Sequence, residues 1–218
     1  MILSHTHKVI FVHPGKTGGT SIEKTLAPLL GLRFDETWLS DEVLPGENCK
    51  HIAASRLKEI VADEIWDGYF TFGFVRNPFD RLLSEWCMHE QADPDVPWRK
   101  RDWTAYPNFE AFLDGIVRGE VILDRDYQSW MLGDGAGNVL VDFVGRFERL
   151  QEDFDEVCRR IGLRPVPLGR EAATRHKPWR DHYDATRLRA VYRSCAGDCE
   201  RFGYEAPRPA LGVRPSFR

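Results

Sequence analysis

The stretch Tyr69-Phe70-Thr71-Phe72-Gly73-Phe74-Val75 narrows the fold more than any other feature of the chain, because a short run this rich in aromatic and β-branched residues reads as a buried strand. It leads into Arg76-Asn77-Pro78, where Asn77 suits a helix cap and Pro78 a first helical position, with Leu82, Leu83 and Trp86 supplying the apolar side of the helix. The same order occurs earlier in the chain. A β-branched and aromatic run over 8–12 is followed by a glycine-rich turn over 14–19, then by a helical stretch with Ile22, Leu26, Leu29 and Leu30 on one side. Further helices are expected over 54–63, 108–117, 124–132, 148–161 and 184–202, and a third strand over 139–144. Strands separated by helices, without a hairpin-dense stretch, specify an α/β fold of three layers in which helices flank a central, mainly parallel sheet.

The chain has 218 residues and no long linker, so one domain over 1–218 is expected. Hydrophobic residues at 42% and aromatics at 12% suffice for a core and exclude wholesale disorder. No repeat period or low-complexity tract appears, which removes solenoids. The longest apolar runs, such as Val9-Ile10-Phe11-Val12, fall far short of the roughly 20 residues a bilayer span needs, so neither a membrane anchor nor a signal peptide is expected. Five cysteines, few and odd in number, read as reduced thiols of a cytoplasmic protein; Cys195 and Cys199, one helical turn apart, read as two small apolar residues on one face. The net charge of −4 hides an asymmetry: residues 159–218 carry 14 Lys and Arg against 6 Asp and Glu, and the rest of the chain is acidic. Because those basic residues are scattered among Trp, Tyr, Leu and Val, they suit a face that meets a small anion better than a nucleic-acid arm.

In a parallel sheet ligands sit beyond the carboxyl ends of the strands, and two strand-to-helix junctions carry unusual residues there. The first is His13-Pro14-Gly15-Lys16-Thr17-Gly18-Gly19-Thr20-Ser21. Its glycines let backbone N–H groups approach a phosphate, the following helix adds its dipole, Lys16 adds a point charge, and Thr17, Thr20 and Ser21 add hydroxyls. The loop is P-loop-like, but the register of a nucleoside-triphosphate P-loop fails: the pattern G-x-x-x-x-G-K-[ST] demands glycine where Ile10 stands. The second junction ends in Arg76, whose guanidinium can take a phosphate bidentately, and Ser84 can add a hydroxyl from the helix that follows.

The sequence Phe11-Val12-His13-Pro14-Gly15-Lys16-Thr17-Gly18-Gly19-Thr20-Ser21, followed by Phe74-Val75-Arg76-Asn77-Pro78-Phe79-Asp80-Arg81-Leu82-Leu83-Ser84, resembles the sulfotransferases that use 3′-phosphoadenylyl sulfate (PAPS), in the branch containing carbohydrate O-sulfotransferases. Val144-Gly145-Arg146-Phe147-Glu148-Arg149-Leu150-Gln151-Glu152-Asp153-Phe154, Tyr127-Gln128 and Phe202-Gly203-Tyr204 also fit the layout of that branch, so the resemblance spans most of the chain. It implies that Gly15, Lys16, Thr17, Gly18, Gly19, Thr20 and Ser21 grip the 5′-phosphosulfate, and that Arg76 and Ser84 hold the 3′-phosphate. One departure is visible: the family loop has Ile-Pro-Lys before Thr-Gly-Gly-Thr-Ser, whereas here Pro14 sits one place earlier and Gly15 precedes Lys16.

Sulfuryl transfer needs in-line positioning, charge stabilisation on the leaving phosphate and a base for the acceptor. Lys16 suits the leaving group. Among the seven histidines, His5 and His7 fall in a fraying N-terminus and His13 at a strand end where a structural hydrogen bond is expected. His51 stands between the two motifs, where the resemblance implies the catalytic base; Glu23 and Asp80 are its rivals. A basic lid over 165–183 would bring Arg175 or Lys177 to the 3′-phosphate, with Trp179 as a stacking or wall residue. The excursion over 92–106, with Trp98, Arg99, Lys100, Arg101 and Trp103, is the candidate for recognising a small-molecule or glycan acceptor, or for a homodimer contact. The expected activity is thus PAPS-dependent sulfuryl transfer to a hydroxyl or amine, with no metal. The alternatives are an ATP-dependent small-molecule kinase, which would require Mg²⁺, and a nucleotide-binding module without a base.

Overall fold

The computed structural model describes residues 1–34, 39–40, 49–93, 95–97, 99–100, 102–169 and 177–205. In chain order its strands and α-helices are β1 (Ile2–Ser4), β2 (Val9–Val12), α1 (Gly19–Leu29), β3 (Leu39–Ser40), α2 (Ala54–Ile60), α3 (Asp63–Gly68), β4 (Phe70–Val75), α4 (Pro78–Gln91), α5 (Phe109–Arg118), α6 (Tyr127–Leu132), β5 (Phe143–Arg146), α7 (Leu150–Arg160) and α8 (Ala185–Arg201). They pack as two compact units, Met1–Asn77 with Gln128–Ala173, and Pro78–Tyr127 with Thr174–Arg218.

The first unit is the α/β layer structure expected from the alternation. Its sheet has the order β3-β1-β2-β4-β5, and every pairing is parallel except that of β1 with β2. Val9, Ile10, Phe11 and Val12 of β2 and Phe72, Phe74 and Val75 of β4 are all buried, as strands covered on both faces must be. One face packs on Ile22, Leu26 and Ala27 of α1 and on Phe154, Val157 and Cys158 of α7, with Phe11 stacked on Phe72 at 4.8 Å between ring centres. On the other face Leu132 of α6 lies so close to Gly73 that an added Cβ there would sit 2.4 Å from it.

Two expectations need correction in this unit. The N-terminus does not fray: β1 is a buried antiparallel neighbour of β2, and His5, in the turn between them, pairs its Nδ1 with the Tyr69 hydroxyl at 2.5 Å. The third strand is β5, not 139–144. Val139 forms only an isolated bridge to Gly133, while Thr71 N and Oγ1 donate to Asp142 Oδ2 at 2.8 and 2.9 Å and so register the chain immediately before β5.

The second unit is helical. Phe79, Leu82, Leu83 and Trp86 of α4, Phe109, Phe112 and Leu113 of α5, and Val191, Cys195 and Cys199 of α8 share one core. Asn108 caps α5 by accepting from Ala111 N at 2.8 Å, and Asp184 caps α8. α8 bends at Cys195, where Asp126 is bonded into the break: its N–H donates to Ser194 O and its Oδ1 accepts from Asp198 N. Cys87, Cys158, Cys195 and Cys199 are buried and in no disulfide.

The described residues of the 92–106 excursion are tied to the second unit. Trp103 is buried against Trp86, Phe109 and Phe112, Lys100 bonds Glu85 at 3.1 Å, and Arg99 Nε donates to His89 O at 2.9 Å. Trp103 is thus a core residue of the second unit, and Lys100 and Arg99 are tied to α4; Trp98 and Arg101 lie outside the described residues. Among the described residues no helix is long and apolar enough to cross a membrane.

Candidate active site

β2 and β4 are adjacent and parallel, so the turns that leave them lie at the same edge of the sheet. In the first turn Lys16 and Gly18 both take positive φ, 68° and 85°. Left-handed residues this close together curl the backbone into the concave form in which N–H groups converge on an anion. Gly18 is the N-cap of α1 and no side chain caps that end, which turns the positive end of the helix dipole towards the loop. Thr17 is buried and donates its hydroxyl to Pro14 O at 2.8 Å, so its proton is used in closing the loop. That bond accommodates the early Pro14 and leaves Lys16 within the turn. At Gly19 a Cβ would lie 2.1 Å from the His13 ring, so only glycine fits.

His13 is buried beneath this turn, with Nδ1 bonded to Glu23 Oε1 at 2.9 Å. The same Oε1 accepts from the Met1 amino group, and Lys50 Nζ lies 3.9 Å from Oε2. Burial drives the His13 imidazole down to about 3 despite its carboxylate partner. For Glu23 burial acts in the opposite sense but is outweighed by the His13 bond and the neighbouring positive charge, which hold it at about 2. A neutral His13 beside an ionised Glu23 is a structural pair: Glu23 is too deeply enclosed to act as the base.

His51 closes the short turn Cys49–His51, with Nδ1 bonded to His13 O at 2.8 Å. A carbonyl oxygen only accepts, so Nδ1 carries the proton and the neutral ring has its lone pair on Nε2. The residue is exposed, yet its ring packs edge-on against His13 at 4.6 Å between centres. The resulting desolvation lowers its pKa from 6.5, only partly offset by the bond to the carbonyl. Near pH 7 this is a neutral imidazole with a basic Nε2.

Arg76 follows β4 and is 7% exposed. Its guanidinium stacks on the Phe147 ring at 4.0 Å, and Nη1 donates to Lys16 O at 3.3 Å, joining the second junction to the first. Its backbone is held by Gln128: Arg76 N donates to Oε1 at 2.7 Å, and Nε2 donates to Arg76 O at 3.0 Å. Lys16, Arg76, His13 and His51 are thus brought together within the first unit. Ser84 and Lys177 belong to the second unit, Ser84 buried on α4 and Lys177 exposed. Arg175 lies outside the described residues. The Trp179 ring, half-buried, stacks on Phe79 at 5.2 Å and meets Tyr183 edge-on. His13 makes the structural hydrogen bond expected of it, to Glu23, whereas the structural roles of Glu23 and Gln128 were not identified from the sequence. Among the described residues no group of three or more His, Cys, Asp or Glu is arranged to hold a metal ion.

Comparison with known proteins adds an independent line. The sequence pattern of the sulfotransferase family matches residues 1–205. Human carbohydrate sulfotransferase 10 is 24% identical across 92% of this chain and 65% of its own length, and the protein of that name from Danio rerio is 24% identical across 94% and 66%. The chain therefore spans less than two thirds of the length of these relatives. A protein without assigned function from Archaeoglobus fulgidus is 27% identical across 49% of this chain and 79% of its own length.

Proposed function

Since the chain belongs to the sulfotransferase family, we propose that it transfers a sulfuryl group from PAPS to a hydroxyl of a carbohydrate or similar acceptor, with His51 as base. The observation that carries the reading is the His51 tautomer: its Nδ1 proton is engaged by His13 O, so Nε2 is the basic atom, on a residue tied to the first turn of the anion cradle. Lys16 and the α1 N-terminus suit the 5′-phosphosulfate, where negative charge grows on the leaving phosphate as the sulfur–oxygen bond breaks. Arg76 suits the 3′-phosphate, which its planar fork can take bidentately. His51 Nε2 takes the acceptor proton as the new oxygen–sulfur bond forms.

Three measurements test this. Calorimetry with 3′-phosphoadenosine 5′-phosphate (PAP) in EDTA should show undiminished binding, because Lys16, Arg76 and backbone amides supply the countercharge; loss of binding in EDTA would return the kinase reading. The His51→Ala variant should keep PAP affinity within about threefold and lose roughly 10²–10⁴ in turnover. In the wild type kcat/KM should fall on the acid side with an apparent pKa below 6.5, since protonation removes the base and His51 is shifted downward. A variant that retains near-normal turnover on a PAPS-dependent acceptor would remove His51 from the mechanism.

A further inference from the structure

The residues that hold Arg76 come from far along the chain and form a clamp on the peptide that leaves β4. Sheet pairing stops short of this point: the last β2–β4 pair is Val12 with Gly73, and the last β4–β5 pair is Val75 with Arg146. Arg76 N–H and C=O therefore lie beyond both ladders, although the residue is buried. A backbone segment in that position must find other partners. Gln128, itself 0% exposed, supplies them with a single planar amide, accepting from Arg76 N and donating to Arg76 O. The next peptide is held in the same way, as Asn77 N donates to Glu148 Oε1 at 2.7 Å. Phe147, adjacent to Glu148, provides the ring on which the guanidinium lies.

We propose that Gln128, Phe147 and Glu148 are positioning residues that fix the Arg76 fork for the donor's 3′-phosphate, so that selectivity for a 3′-phosphorylated nucleotide depends on a side-chain amide that does not touch the nucleotide. The proposal rests on the reading of Arg76 given above. Its physical basis is directional. A guanidinium binds a phosphate well only when its plane and its two N–H rows are correctly aimed, and a fork already immobilised has less conformational freedom to lose on binding. Gln128 fixes the backbone from which the side chain springs, and Phe147 fixes its plane. Lys16 O, taking Nη1 at 3.3 Å, keeps the fork beside the cradle. A glycine at 18 is part of the same arrangement, because a Cβ there would press to 3.2 Å from the Phe147 ring.

The test is the ratio of affinities for PAP and adenosine 5′-phosphate, which lacks the 3′-phosphate, measured calorimetrically on the wild type and on Gln128→Glu, Phe147→Leu and Glu148→Ala. Gln128→Glu keeps size and still accepts from Arg76 N, but its ionised carboxylate cannot donate to Arg76 O. Its PAP preference should fall by about tenfold or more with affinity for adenosine 5′-phosphate within about threefold, and acidification that protonates the new carboxyl should restore part of the preference. Phe147→Leu and Glu148→Ala, at positions that are not fully buried, should erode the ratio in the same direction, and they keep the test valid if Gln128→Glu fails to fold. A merely structural role would weaken both ligands equally and leave the ratio intact, which would overturn the proposal. If the wild type itself shows no preference for PAP, the fault lies with the reading of Arg76 and the proposal falls with it.

Discussion

After β2 the proposed donor site is built largely from backbone, with Lys16 and Gly18 at positive φ and Gly19 pressed against the His13 ring. After β4 it is built from one side chain, Arg76, held by Gln128 through the backbone and by Phe147 through the guanidinium. The difference bears on tolerance. Apart from the Lys16 charge, a surface made of N–H groups should be insensitive to side-chain identity where the backbone path is kept and intolerant where it is not. A surface made of one guanidinium should show the reverse. The divergence also suits the two phosphate positions, since the backbone cradle can follow charge as it develops on a leaving group, whereas a fork recognises a fixed dianion.

The largest effect expected from this contrast is at Gly19. Gly19→Ala places a methyl group 2.1 Å from His13 ring atoms that are enclosed beneath the loop, so either His13 leaves Glu23 or the α1 N-terminus shifts. Overpacking of this kind costs about 1–3 kcal/mol, and here it also deforms the cradle. Thermal unfolding should shift down by several degrees and PAP binding should disappear from calorimetry. A variant with wild-type PAP affinity would show that the backbone path is not what binds.

A smaller effect is expected at Arg76, from a change that keeps the charge. Arg76→Lys leaves a cation after β4 but removes the planar fork, the stacking surface on Phe147 and the reach to Lys16 O. The preference for PAP over adenosine 5′-phosphate should fall by about 1–2 kcal/mol, while binding of adenosine 5′-phosphate stays nearly constant. An unchanged preference would mean that charge alone suffices, and the two junctions would then differ less than their geometry indicates.

How much of this could be read from the sequence follows from how local each feature is. The cradle was legible because its glycines, lysine and hydroxyls are contiguous and follow a strand-like run, and the start of α4 was legible because proline at the first helical position is a local signal. The mainly parallel sheet was legible from alternation, yet β1 was missed because three residues carry no period. The supports of Arg76 lie at 128, 147 and 148, and no local pattern announces a contact across such separations. Trp103 and Trp179 show a further limit. Aromatic rings beside basic residues fit a ligand-facing loop and a core equally well, and only the packing on Phe112 and Phe79 shows that Trp103 is a core residue and Trp179 a half-buried one at the core's margin. Glu23 was a rival base by residue type alone; only its burial against His13 and the Met1 amino group gives it a structural role.

The smallest expected effect is the most discriminating, because it sets side chain against backbone within one turn. Thr20 is the second residue of α1, one place after the glycine whose path cannot change, and its hydroxyl is one of the groups that the sequence offers to a phosphate. Thr17, in the same turn, already spends its hydroxyl proton on Pro14 O, which shows that this loop uses hydroxyls to shape itself. If the cradle binds through backbone N–H groups, Thr20→Ala removes nothing essential and retains a good helix former near the start of α1. PAP affinity should then stay within about threefold, less than the effect of Arg76→Lys. A hydroxyl that donated directly to a charged phosphate would contribute about 1.5–3 kcal/mol, or more than tenfold in affinity. A tenfold loss in Thr20→Ala would therefore erase the distinction between the two junctions and make the first, like the second, a site built from side chains.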